Sequence, residues 1–109
     1  MTGHKRDIAA ADGLAGDTVL TLARNAHPSQ DALCQVTGDE AVILDMASEQ
    51  YFGLNRVGRR AWELLSVDSS LEATHQALLA EFDVDAERME HDLLALVGQL
   101  SDAGLVTID

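Results

Sequence analysis

The chain has 109 residues, of which 47% are hydrophobic, and nineteen acids against seven bases give it a formal net charge of −12. That length holds one domain, and its core must be aliphatic because Tyr51, Phe52, Trp62 and Phe82 are the only aromatics. The charge repels phosphate backbones and argues against nucleic acid as a partner, whereas it favours and accelerates encounter with a basic peptide. A solvated acidic surface that only aids solubility has the same composition. The single cysteine, Cys34, leaves no intrachain disulfide and predicts a reducing, cytoplasmic home. No run of about 18 apolar residues offers a membrane span, and Asp12 and Gly13 interrupt the only candidate for a secretion-signal core.

Residues 1–17, rich in Ala, Gly and Asp with Ile8 and Leu14 as sizeable apolar anchors, read as a flexible arm ahead of a domain spanning residues 18–109. Residues 18–22 predict a short strand, and residues 25–29, with the only proline at Pro28, predict a loop. Two apolar runs, residues 32–36 and 41–46, are joined by Thr37-Gly38-Asp39-Glu40, a hairpin connection with glycine where positive φ is needed. The run Ala41-Val42-Ile43-Leu44 is apolar on both faces, as in a strand covered on both sides or flanked by two others. After a polar turn, Tyr51-Phe52-Gly53-Leu54 forms a third strand, and the three make an antiparallel meander.

Helical spacing begins at Asn55, a plausible N-cap, with Val57, Ala61, Leu64 and Leu65 on one face and Trp62 at its edge. Ser69 and Glu72 form a capping box for a second helix, whose apolar face holds Leu71, Leu78 and Phe82 with Thr74 and Leu79 flanking. A third helix starts at Asp85 and aligns Ala86, Met89, Leu93, Leu96, Val97 and Leu100. Residues 101–104 end it, and Leu105-Val106-Thr107-Ile108 closes the chain as an extended segment. Strands followed by three amphipathic helices predict a winged-helix-like α+β domain, a three-stranded antiparallel sheet with the helices packed on it.

Catalytic groups do not converge in this pattern. His4, His27, His75 and His91 lack metal-ligand spacing to one another or to Cys34, so no metal or cofactor is expected. Cys34 lies within a strand beside Leu33 and Val36, with no activating partner indicated, and reads as a small packing residue. His75 reads as a surface or satisfied packing residue, and His91-Asp92 as part of a solvated helix face. Asp83, Asp85, Glu87 and Glu90 gather near a helix start, where the dipole favours them. The chain is read as having no catalytic residues.

The stretch from Asp45 to Leu65 stands apart: an apolar run ending in Asp45, the junction Tyr51-Phe52-Gly53-Leu54-Asn55, Gly58 two positions after Arg56, then Trp62-Glu63-Leu64-Leu65. With the ending Gly104-Leu105-Val106, it resembles the coenzyme-pyrroloquinoline-quinone synthesis protein D (PqqD) family, the peptide-recognition elements of ribosomal peptide modification systems. Within that family it is most similar to the standalone recognition proteins of lasso-peptide biosynthesis. The resemblance covers residues 32–106. It implies three strands on three helices, a precursor leader peptide pairing antiparallel to the third strand, and a separate partner enzyme. That partner is a leader peptidase of the transglutaminase-like cysteine protease type or another modifying enzyme.

An edge strand's unpaired N–H and C=O groups suit such strand addition. Tyr51, Phe52, Gly53 and Leu54 then supply the strand edge, with either Tyr51 or Phe52 in the core because strand neighbours face opposite ways. On the third helix Glu87, Glu90, Leu94, Val97 and Ser101 lie along one flank. Leu94 either lines a groove or packs on the N-terminal arm, and the two glutamates suit basic leader side chains. Arg56, Arg59 and Arg60 cluster on the first helix, as a partner-protein contact or a solvated patch. They are also the best argument for a winged-helix DNA-binding domain, although the third helix offers only Arg88 as a base. A structural subunit or chaperone without direct peptide contact is a third reading.

Overall fold

The computed structural model describes the backbone of residues 5–7 and all of residues 20–109, and the elements below are those of the described residues. In chain order they are β1 (Lys5–Asp7), β2 (Ala26–Pro28), β3 (Ala32–Thr37), β4 (Glu40–Asp45), β5 (Gln50–Leu54), α1 (Arg56–Val67), α2 (Leu71–Glu81), α3 (Ala86–Asp102) and β6 (Val106–Ile108). The main sheet has the order β1-β5-β4-β3, and β2 pairs with β6 in a separate two-stranded ribbon. The expected α+β architecture is present, with the antiparallel meander β3-β4-β5 followed by three helices.

Alternation decides which face of the meander is covered. Opposed pairs Ile43–Phe52 and Ala41–Leu54 point inward and are buried, whereas the cross-strand row Leu33–Leu44–Tyr51 points outward and is exposed. The run Ala41–Leu44 is therefore apolar because β4 lies between two strands, not because both faces are covered. Gly38 and Asp39 close the β3–β4 hairpin, and Gly38 takes φ +65° there, as a two-residue turn demands. Asp45 ends β4 by accepting from Ala47 N at 3.1 Å and from Ser48 Oγ at 2.8 Å, which turns the chain toward β5.

Each helix begins at a side-chain cap. Asn55 Oδ1 accepts from Gly58 N at 2.8 Å, Ser70 Oγ from Ala73 N at 3.1 Å, and Asp85 Oδ2 from Arg88 N at 3.3 Å. The second cap is Ser70, not the expected Ser69, whose carbonyl instead accepts from Ala26 N at 2.9 Å. The buried faces meet in one core of Ala61, Trp62 and Leu65 from α1, Leu71 and Leu78 from α2, and Met89, Leu93, Val97 and Leu100 from α3. Ala86, expected on that stripe, is exposed in the first turn of α3. His75 is 5% exposed, and its Nε2 lies 3.0 Å from the Ala86 carbonyl oxygen, so it packs the α2–α3 connection.

Two local readings fail. Residues 20–22, the described part of the stretch 18–22 expected to be a strand, instead lead into a turn in which Arg24 N donates to Thr21 O at 3.0 Å; residues 18 and 19 lie outside the described ones. The expected loop at residues 25–29 contains β2, antiparallel to β6 with Ala26 opposite Ile108. Pro28 is tolerated because it ends a strand of a two-stranded ribbon, and neither local periodicity nor turn residues report a partner 82 positions away. Of the expected N-terminal arm, only Lys5–Asp7 is described, and it forms β1 parallel to β5. No helix of the described residues is long and apolar enough to cross a membrane.

A polar clamp ties α1 to α2. Arg60 Nε donates to both carboxylate oxygens of Glu81, at 2.8 and 3.0 Å, and Nη1 reaches Glu63 Oε1 at 3.2 Å. The Arg60 hydrogen bond, with its charge, holds the Glu81 carboxyl below the ordinary carboxylate range. A carboxyl lowered in this way stabilises the fold above its unfolded pKa and loses that contribution as pH falls through its folded value. Both groups are about one-third exposed, so solvent screening keeps the contribution within roughly 1 kcal/mol.

Urea denaturation checks these assignments. Phe52→Ala should cost about 3–5 kcal/mol, because it empties the centre of the core. Asn55→Ala should cost about 1 kcal/mol, and Asn55→Asp should recover most of that. Glu81→Gln should cost no more than about 1 kcal/mol at neutral pH, with the difference vanishing once acid protonates Glu81 in the wild type.

Candidate functional site

Strand β5 passes into α1 through a single residue, Asn55, and that junction builds the site. Gly58 favours the close approach, because a Cβ there would crowd Asn55 Oδ1 at 3.3 Å and Leu54 Cβ at 3.4 Å. With Phe52 and Leu54 buried beneath the sheet, β5 offers an outside molecule mainly its backbone edge, with Tyr51 on the outer face. One edge is held by β4, from Ala41 opposite Leu54 to Asp45 opposite Gln50. Along the other, Lys5, Arg6 and Asp7 face Tyr51, Phe52 and Gly53 in parallel register.

A cavity of about 680 Å³ opens beside the end of β5. Its walls are Asn55, Val57, Gly58 and Ala61 from the start of α1, Leu78 from α2, residues 83–85 of the following loop, and Arg88, Met89, Asp92, Leu93 and Leu96 from α3. Ala61, Leu78, Met89 and Leu93 are buried and make an apolar floor. At the mouth, Asp83, Asp85 and Asp92 outnumber Arg88, whose Nε is 3.6 Å from Asp92 Oδ2. An apolar hollow with an acidic rim suits a peptide that carries an apolar anchor near a cation.

The residues expected to contact a peptide fall into two groups. Tyr51, Phe52, Gly53 and Leu54 do form the strand that leads to the cavity. Glu87, Glu90, Leu94 and Val97 do not line it. At 100° per residue they project from the side of α3 away from Arg88, Asp92 and Leu96. Val97 is 0% exposed and belongs to the core, a correction to its expected groove position, and Leu94 packs partly buried against that core. Glu87 is exposed and Glu90 half-buried. Sequence periodicity located the buried stripe of α3 but not which flank meets α1. Arg88 and Leu96 were not placed on the cavity wall on that account, although Asn55 and Gly58 stood in the junction motif and the acids clustered at residues 83–92 marked the neighbourhood.

The arginine cluster is internally engaged. The Arg56 guanidinium carbon lies 5.1 Å from the Phe82 ring centroid, Arg59 Nη1 is 3.3 Å from Glu63 Oε2, and Arg60 is clamped by Glu81 and Glu63. These pairings offset the positive field that a nucleic-acid phosphate requires. The half-buried Cys34 has its thiol pKa pushed up, first by burial and then by the Glu63 charge, the opposite of what a nucleophile needs. Among the described residues, no group of three or more His, Cys, Asp or Glu side chains is arranged to hold a metal ion.

Comparison with known proteins places this geometry. A solved structure described as TbiB1 in complex with the TbiA(beta) leader peptide superposes with a TM-score of 0.69 at 32% identity, covering 73% of this chain and 93% of that one. A second, a lasso peptide synthetase B1 complexed with the leader peptide, gives a TM-score of 0.67 at 25% identity, covering 76% of this chain and 98% of the other. No curated protein matches the chain. The sequence model of coenzyme PQQ synthesis protein D matches residues 40–106, from β4 to the first residue of β6, and so takes in the β5–α1 junction and all three helices. That match spans more than half of the chain, which therefore belongs to the PqqD family.

Proposed function

We propose that this protein captures the leader segment of a ribosomally made, lasso-type precursor peptide as an added strand along β5. The observation that carries the reading is the cavity walled by Asn55, the residue that follows β5, and by α3, in a chain similar to two proteins solved with leader peptides. Backbone pairing alone does not suffice. Each hydrogen bond contributes about 1 kcal/mol net, and ordering an extended peptide costs about as much per residue. Affinity and selectivity must therefore come from side chains of the guest. An apolar residue enters the hollow over Met89, Leu93 and Leu96, and a neighbouring cation meets Asp83, Asp85 or Asp92.

The role is binding, without catalysis. The leader is held in the cytoplasm for a separate enzyme, a leader peptidase of the transglutaminase-like cysteine protease type or another modifying enzyme. A protein partner has a surface to use. Leu33, Leu44 and Tyr51 form an exposed apolar cross-strand row on the outer sheet face, the kind of patch that marks an interaction surface. Arg56, Arg59 and Arg60 are a second, less available surface because of their internal pairing. No observation favours the DNA-binding reading, since α3 carries Arg88 as its one base among Glu87, Glu90, Asp92 and Asp102.

Calorimetric titration with the leader of the accompanying precursor should give saturable binding below about 100 µM, and a scrambled leader should not bind; absence of heat at that concentration contradicts the reading. Leu96→Asp places a charge on the cavity wall at a partly exposed position. It should weaken binding at least tenfold, about 1.4 kcal/mol, with an unchanged circular-dichroism spectrum. Asp92→Asn should weaken binding at low salt and have little effect at high salt, where the rim charge is screened.

A further inference from the structure

We propose that Lys5–Asp7 is an intramolecular competitor of the leader, a built-in strand that holds the β5 edge until a captured peptide displaces it. The proposal rests on the strand-addition reading and goes beyond it by giving the N-terminal arm a role. Three observations carry it. Register comes first: Lys5, Arg6 and Asp7 lie opposite Tyr51, Phe52 and Gly53, and β4 occupies the other edge of β5. A strand has two edges, so arm and leader cannot pair with those residues together.

Charge is the second observation. The segment contains adjacent Lys5 and Arg6 in a chain whose net charge is −12, so it has the chemistry that the acidic surface attracts in a guest. The third is its weakness as a strand. It spans three residues and runs parallel to β5, the less stable pairing per residue, and twelve residues, numbers 8–19, separate it from Leu20. A partner in the same chain can occupy the edge without excluding a longer guest that also has a side-chain anchor. The contact also keeps two copies of the chain from pairing edge to edge.

A competitor lowers the apparent affinity for the leader by the fraction of time the edge stands open, so an arm seated nine-tenths of the time weakens binding about tenfold. The test uses the full-length chain with Lys5, Arg6 and Asp7 all replaced by proline, which removes every amide of β1. The same three positions replaced by glycine change the charge equally but keep the amides. Titrated with the leader of the accompanying precursor, the proline variant should bind about 3- to 10-fold more tightly than wild type, and the glycine variant should fall between them. Without leader, amide exchange of residues 50–54 should be faster in the proline variant. Equal or weaker leader binding by the proline variant overturns the competitor and leaves strand addition standing. Failure of all three chains to bind overturns both.

Discussion

A strand that becomes a helix within one residue constrains everything else in this molecule. Asn55 must end β5 and cap α1 at once, and it does so by accepting the Gly58 amide while Gly58 packs against Leu54. Because the turn is immediate, Phe52 and Leu54 are drawn into the core and the first turn of α1 is held at the end of the β5 edge. Helix α3, capped by Asp85 and anchored through Met89 and Leu93, then faces that turn across the cavity. The binding site is thus a consequence of the junction. Its floor is core, its wall is helix start, and its approach is a backbone ladder.

The energetics divide the work of recognition among these parts. A ladder pairs with any extended peptide and contributes little discrimination, since net hydrogen-bond energies nearly cancel against the ordering of the guest. In the proposed reading, the hollow selects peptides that carry an apolar anchor, and the acidic rim disfavours acidic ones. If Lys5–Asp7 acts as the proposed competitor, its pairing with β5 adds a threshold, because a guest must replace an existing partner. Such an arrangement suits a protein that selects one leader peptide among many extended chains.

Much of this architecture is legible in the sequence where the signal is local. Apolar runs marked β3, β4 and β5, Gly38 marked the hairpin, Asn55 marked the cap of α1 to the residue, and Asp85 marked the start of α3 to within one. The PqqD resemblance is carried by the same junction, whose Gly58 and Asn55 answer to a steric and a hydrogen-bonding need that few other residues meet. What local pattern does not report is long-range pairing. Strand β2 exists because the carbonyls and amides near Ala26 find β6 at the far end of the chain, a partner no local pattern reports. The flank of α3 that faces the cavity was misjudged for a related reason. Periodicity fixes a buried stripe, but which side of the stripe meets another helix is decided by tertiary packing, so Val97 was placed in a groove when it lies in the core.

The central claim is that the guest's backbone pairs with the β5 edge while its side chains enter the cavity beside α3. Isotope-edited NMR of the leader complex tests it most directly, by recording which protein protons lie next to leader protons. The account predicts cross-strand contacts from the leader backbone to residues 50–54, accompanied by side-chain contacts to Met89 and Leu96. A leader whose contacts fall on the outer sheet face or the arginine cluster, with residues 50–54 unperturbed, would contradict it.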